Sequence, residues 1–420
     1  MERRPDAPDR IRVLSIIKRL HIGGDQVRLL SFATAVDRER FEHVVLVVQG
    51  TDEARDATVG PMLATYRDAG VEVVVLGREI VSMTATPRPT RAGPRRRVAD
   101  VVNFIRVVRD VVAVCRERRI DVIDARLNFG TLVGLVAAVA ARVPVVVMTG
   151  YYTEHWRRPR TLEPFGQVAF AGIDAFVTDA DTTIEEFDNW RWSKRARLAM
   201  IPNGVPAAIP TRPRAEVRGE LGLPTDPTVR VVGAICRMIE GKGYETLLRA
   251  ARIVLDQEPD VAVLCCGYSE DPAYRDSLVA LAESLGIADR VAFTSWPGAI
   301  GDAMGALDVY ARVSTEDSSP IGVHEAMSAQ VPLLLTAVGG AAELVDHERT
   351  GLLVPPDDPG AVAAAILRLL REPDLAARLK TEGLRDYQAR FTPDVMARRH
   401  EALFTELLAG RRHGTRRRPR

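Results

Sequence analysis

A repeated alternation constrains what this 420-residue chain can fold into. Short runs rich in valine and isoleucine, "RVLSII", "HVVLVV", "VEVVVL", "DVIDAR", "PVVVM" and "AFVTDA", are separated by segments of helix length. A run apolar at nearly every position suits a strand covered on both faces, and helix-length connections join such strands in parallel. The alternation pauses at "IPNGVPAAIPTRPRAEVRGELGLPTDPTVR", 201–230, where proline and glycine accumulate. It resumes with "VRVVGAI", "AVLCCG", "RVAFTS", "DVYARV" and "PLLLTA". The length also exceeds what one ordinary core carries. The sequence therefore predicts an α/β protein of two doubly wound domains, 1–205 and 206–394, facing a central cleft. The amphipathic segment 395–410 either closes the second domain or packs back on the first, and 411–420 is a basic tail.

Composition narrows the function. The 57 basic and 56 acidic residues nearly cancel, which argues against a general nucleic-acid binder. The basic residues are uneven, with "RPTRAGPRRR" at 88–97 and "RRHGTRRRPR" at 411–420. Such runs serve as solvated loops and tails or meet an anionic membrane surface. Cys115, Cys236, Cys265 and Cys266 show neither metal spacing nor a secreted framework. The charged start and the absence of a membrane-length apolar run lead us to expect a cytoplasmic protein with peripheral contact to the inner membrane face.

Ligands of open parallel sheets sit beyond the carboxyl ends of the strands, so the loops there are where chemistry is expected. Gly23 and Gly24, in "RLHIGGDQVRLL", follow the first strand and precede a helix. They suit either close backbone approach to a ligand at a helix N-terminus or a plain turn. No dinucleotide fingerprint G-x-G-x-x-G accompanies them. Arg237 and Lys242, in "AICRMIEGKGYETLL", flank a strand-end loop in a chain with only four lysines. Two such cations suit a diphosphate, and equally an ion pair with Glu240 or Glu245. Asp317 and Glu325 stand eight apart around Pro320 and Gly322 in "STEDSSPIGVHEAMSAQVPLLLTAVGG". Proline at a first helical turn followed by glycine exposes N–H groups to a phosphate. Glu325, one turn into the helix, suits the vicinal hydroxyls of a ribose. Asp317 suits a second polyol or a helix N-cap.

These motifs, in this order, resemble the retaining, nucleotide-sugar-dependent glycosyltransferases of GT-B fold known as family four. The resembling stretches are "IGGDQVRLL", "IPNGV", "GAICRMIEGKGYETLLRAARIV", "VLCCGYSED" and "DRVAFTSW". They continue from "DVYARV" through "TAVGG" and "GLLVPPDDP" to "FTPDVMARRHEALF". The resemblance implies two Rossmann-like domains, the first on the acceptor side and the second binding the donor. It implies that Arg237 and Lys242 hold the donor diphosphate, that Glu325 holds the ribose, and that Asp317 contacts the transferred sugar. Backbone N–H groups from Ser319 through Pro320 and Ile321 to Gly322 would assist, with Gly23 and Gly24 near the diphosphate and acceptor. "TAVGG" and Glu343 are read as structural.

Two positions depart from the family pattern. Asp317 replaces the first Glu of its E-x7-E motif, one methylene shorter. In "DVIDARLN" Asp124 and Arg126 occupy two His positions, so Arg126 and Asn128 become the candidates for sugar or acceptor contact. Arg126 cannot act as a base at neutral pH. The implied function is retaining transfer of a sugar from a nucleotide-diphosphate donor to the hydroxyl of a lipid-linked, cell-envelope or secondary-metabolite acceptor. No metal or other cofactor is expected. The alternatives are a catalytically silent sugar-nucleotide-binding partner and a nucleotide-sugar epimerase or hydrolase on the same fold.

Overall fold

The computed structural model describes residues 10–20, 23–49, 62–78, 94–150, 171–188, 196–269 and 271–412, with the side chains of 94–100, 127–128, 186–188 and 412 set aside. The whole basic run at 88–97, the aromatic and arginine-rich 151–166 and the tail from 412 thus lie outside the described side chains. The chain divides into two compact units, Met1–Ile201 with Met396–Arg420, and Pro202–Val395.

The first unit is built on β1 Ile11–Ile17, β2 Phe41–Val47, β3 Glu72–Val75, β4 Val122–Arg126, β5 Val145–Thr149, β6 Ala175–Thr178 and β7 Arg197–Met200. They form a parallel sheet in the order β3-β2-β1-β4-β5-β6-β7. The second carries β8 Arg230–Ile235, β9 Val261–Cys266, β10 Val291–Thr294, β11 Val309–Arg312, β12 Leu333–Thr336 and β13 Leu352–Val354. Its order is β10-β9-β8-β11-β12-β13, again parallel. Each order reverses once, between β1 and β4 and between β8 and β11. Those reversals are the switch points at which doubly wound sheets bind ligands.

Strands β7 and β13 are absent from the expectation drawn from the sequence. Both are edge strands, four and three residues long, too short to show a run of β-formers. The unit boundary also falls earlier than 205. Residues 202–205 leave the first sheet and are tied into the second unit: Val205 N donates to Phe391 O at 2.9 Å, and Tyr387 Oη to Val205 O at 2.8 Å.

The helix Pro393–Arg412 passes into the first unit at Met396. Its Met396, Ala397, Leu403, Phe404 and Leu408 complete the core formed by Leu29, Phe32, Val45 and Val147. Phe404 is fully buried and meets Phe32 edge-on at 6.2 Å. Truncating a buried phenylalanine loses both transfer energy and packing. Phe404→Ala is therefore expected to destabilise the first unit by about 3–5 kcal/mol, read as a drop in its urea midpoint.

Candidate active site

The second unit's site is built from the loops that leave β8 and β11, which are neighbours in the sheet. Gly243 has φ +76° and ends the first loop as the N-cap of the helix Tyr244–Leu255. A Cβ there would stand 1.8 Å from the Val313 carbonyl oxygen, so only glycine lets the two loops pack backbone to backbone. Thr315 N donates to Gly241 O at 3.0 Å, lacing them together. From the other side Gly339, φ +46°, brings its Cα under Asp317, where a Cβ would lie 2.4 Å from the carbonyl oxygen. The "TAVGG" turn is thus a seat for the Asp317 loop.

This packing gathers three charges. Lys242 Nζ stands 3.2 Å from Asp317 Oδ1 and 3.5 Å from Glu316 O. Arg312, the last residue of β11, donates Nε at 2.9 Å and Nη2 at 2.6 Å to Asp317 Oδ2. Ser314 Oγ adds a third donor to the same oxygen at 3.0 Å. Burial would raise the Asp317 carboxyl, but Arg312 and then Lys242 hold it below the usual carboxylate range. Burial lowers the Lys242 ammonium, with Asp317 opposing. Asp317 is therefore an ion-paired carboxylate and not a helix cap; the N-cap of the helix Ile321–Ser328 is Pro320. Among the described residues Glu240 and Glu245 bridge neither cation, and Arg237 is exposed and free of ion pairs.

The turn into that helix is held from below. Asn203 of "IPNGV" donates Nδ2 to Ser319 O at 3.1 Å and to Ser319 Oγ at 3.0 Å. Of the four turn residues, Pro320 has no N–H to offer. Ile321 and Gly322 keep theirs without an acceptor among the described residues, as first-turn positions do. Glu325 follows one turn later, and its carboxylate accepts no hydrogen bond among the described residues. Burial pushes it up to about 7, against the pull of Arg312. The adjoining His324 is fully buried edge-on to Phe391 at 4.4 Å, and burial holds it neutral, down at about 3.

At the first unit's switch point Gly23 and Gly24 open the helix Gly24–Ala35, and Asn128 stands at the start of the helix Leu127–Ala141. Arg126 is 1 % exposed. Its Nη1 donates to Asp25 Oδ1 at 2.8 Å and its Nε to Asp124 Oδ2 at 3.2 Å. Asp124 also accepts from Ser15 at 2.9 Å and Thr149 at 2.6 Å. In this structure Arg126 braces two loops and offers almost no surface to a sugar. Among the described residues no three His, Cys, Asp or Glu side chains converge as metal ligands.

Arg312, Asn203 and Asp25 are the site residues that sequence reasoning misses. Asn203 and Asp25 lie within the motif stretches "IPNGV" and "IGGDQVRLL", and Arg312 stands as a charge at the end of the apolar run "VYA".

Residues 214–386 match the family Glycosyl transferases group 1, and residues 22–208 match Glycosyltransferase Family 4. The chain belongs to the group 1 glycosyltransferases. It is 29 % identical over 228 residues to the D-inositol 3-phosphate glycosyltransferase of Corynebacterium urealyticum, covering 52 % of this chain and 53 % of that protein. The chain thus spans about half the length of the curated relatives it matches. Its fold is that of a Rickettsia africae glycosyltransferase, with a TM-score of 0.75 at 14 % identity over 96 % of this chain and 99 % of that one. It is equally that of Anabaena Alr3699/HepE in complex with UDP and glucose, with a TM-score of 0.74 at 20 % identity over 94 % and 100 %.

The elevated Glu325 makes a stability prediction. The folded state holds its proton up to about 7, the unfolded chain only to 4.5, so stability falls as pH rises between these values and levels off above. Glu325→Gln, uncharged throughout, is expected to match the parent near pH 4.5 and to exceed it by about 1–3 kcal/mol at pH 8. Thermal unfolding of both proteins at the two pH values checks this.

Proposed function

We propose that the protein transfers a sugar, with retention of anomeric configuration, from a nucleoside-diphosphate donor to an acceptor hydroxyl. The observation that carries this reading is the cluster at the second unit's switch point: Lys242 on Asp317, beside the open N–H groups of Ile321 and Gly322. The names of the related glycosyltransferases and the UDP and glucose bound by the Anabaena neighbour support it.

In this reading the anomeric carbon–oxygen bond to the diphosphate breaks as the acceptor oxygen bonds to the same carbon on the same face. The acceptor proton passes to the leaving phosphate oxygen, so no protein base is required. Negative charge grows on the diphosphate, and groups that meet it more strongly then than in the ground state accelerate the step. Lys242, Arg237 and the helix-end N–H groups take that role, in place of a metal ion. Lys242 keeps one of its three N–H donors for a phosphate oxygen while still on Glu316 and Asp317. Glu325 takes the ribose hydroxyls and Asp317 those of the transferred sugar.

The acceptor falls to the first unit, where Gly23 and Gly24 supply the open backbone. It is a hydroxyl of a lipid-linked or cell-envelope glycan or of a secondary metabolite. Peripheral contact with an anionic membrane is supported by Val101 and Ile105, each 59 % exposed, beside the exposed Arg106 and Arg109 on the helix Pro94–Glu117. Among the described residues no helix is long and apolar enough to cross a membrane.

Calorimetric titration with UDP, GDP and ADP tests the donor site. One of them is expected to bind, with affinity at least about 10-fold weaker in Lys242→Ala and in Arg237→Ala, since each removes a charge-assisted contact. Binding of none by the folded parent protein overturns the reading. Binding that is followed by no transfer to any acceptor favours a silent nucleotide-sugar partner instead.

A further inference from the structure

Arg312 belongs to none of the roles above, yet it dominates the geometry of Asp317. It is 6 % exposed at the end of β11 and directs two N–H groups at one carboxylate oxygen, Oδ2, which also receives Ser314 Oγ. Three donors on one oxygen use up its lone pairs and fix both side-chain torsions of Asp317. The other oxygen, Oδ1, meets only Lys242 Nζ among the described residues. Any ligand hydroxyl that reaches Asp317 therefore meets Oδ1. The guanidinium holds its proton at all relevant pH values and is planar, which a lysine in its place would not reproduce.

We propose that Arg312 is a positioning residue: it clamps Asp317 through Oδ2 so that Oδ1 alone is presented to Lys242 and to a hydroxyl of the transferred sugar. The substrate part of this assignment rests on the nucleotide-sugar reading; the clamp itself does not. The clamp also gives a reason for an aspartate at 317. Its carboxylate is met in place by a fork from the strand end, and one more methylene would push it past that fork. Tyr310, Glu325, Tyr244 and Cys236 face the same guanidinium, so its charge acts on the whole floor of the site.

The test compares the parent with Arg312→Leu, Arg312→Lys and Asp317→Glu, each checked for folding by circular dichroism, in two arms. In the first, UDP affinity is measured by calorimetry and UDP-glucose hydrolysis, with water as the acceptor, by released UDP. Arg312→Leu is expected to hold UDP within 3-fold of the parent and to lose about 100-fold in kcat, with KM within 3-fold, because misplacement near the reacting centre costs about that much. Arg312→Lys, which keeps charge but not the fork, is expected to fall between. Asp317→Glu is expected to lose turnover in the parent background and less so when combined with Arg312→Leu. Turnover of folded Arg312→Leu within 3-fold of the parent overturns the proposal.

The second arm uses no nucleotide. The chain has four lysines, Lys18, Lys194, Lys242 and Lys380, so 13C-dimethylated protein gives a lysine spectrum in which Lys242 is assigned by its loss in Lys242→Arg. Its titration midpoint is expected to rise in Arg312→Leu, which removes the neighbouring cation, and to fall in Asp317→Asn. An unmoved Lys242 in Arg312→Leu overturns the clamp. A moved Lys242 in a protein that binds none of UDP, GDP and ADP leaves the clamp standing and removes the nucleotide-sugar reading.

Discussion

The pairing of β8 with β11 is the constraint on which the second unit's chemistry depends. The two strands lie in parallel register, Val232 beside Val309 and Gly233 beside Tyr310. Neighbouring strands are about 4.8 Å apart, so the loops that leave their carboxyl ends emerge side by side. The sheet order reverses at this pair, and the helices that follow the two strands lie on opposite faces, as they do at any such switch point. Only there can a cation from one loop and an acid from the other meet above the sheet without a helix between them. Gly243 against Val313 turns that proximity into contact. Lys242 reaches Asp317 because its own neighbour has no side chain.

The charges so assembled do not cancel when Glu325 is protonated. Arg312 and Lys242 bring two positive charges and Asp317 one negative, so the buried cluster carries a net +1. Glu325 would balance it, but Arg312 already spends its hydrogen bonds on Asp317 and reaches Glu325 only through its field. Burial then outweighs that field, and the carboxyl rises to about 7. A cluster with excess positive charge and first-turn N–H groups beside it is the kind of surface that favours negative charge. The instability stored in an unsatisfied buried acid is of the kind that functional sites carry while the rest of the fold compensates. The core around Leu247, Val263 and Val309, apolar and fully covered, supplies that compensation.

What the sequence made legible follows from periodicity. Strands of the second unit's centre, the loops after them and the helix starts at Tyr244 and Ile321 all stand where runs of valine, glycine and proline put them. Partners far apart in sequence were not legible. Glu240 and Glu245 were the near candidates for Lys242, but side chains within one loop need not face each other, and the partner came from the loop of the next strand in space. Arg126 read as available because its second partner, Asp25, lies 101 residues away at the start of a different helix. Arg312 lies at the end of a strand-like run whose apolar neighbours mask it. Charges inside apolar runs carry information that averaging over the run discards.

The first unit shows what happens when such a cluster is closed. At the β1 and β4 switch point Asp124 accepts from Ser15, Thr149 and Arg126, and Arg126 turns its remaining reach to Asp25. His43 beside them bonds Ser15 and is held neutral by burial, down at about 4 despite Asp124. Every carboxylate oxygen of Asp124 is used, and neither Asp124 nor Arg126 reaches the surface. Such a network rigidifies the loops it ties and leaves little for a ligand to take. The second unit's cluster differs in one term: the Lys242 side chain is 16 % exposed, against 0 % for Arg126. That exposure distinguishes the two clusters, since an ammonium at the surface can take a further acceptor without first giving up a partner. The first unit's buried charges are thus spent within the fold, while those of the second unit's loops after β8 and β11 keep one cation at the surface.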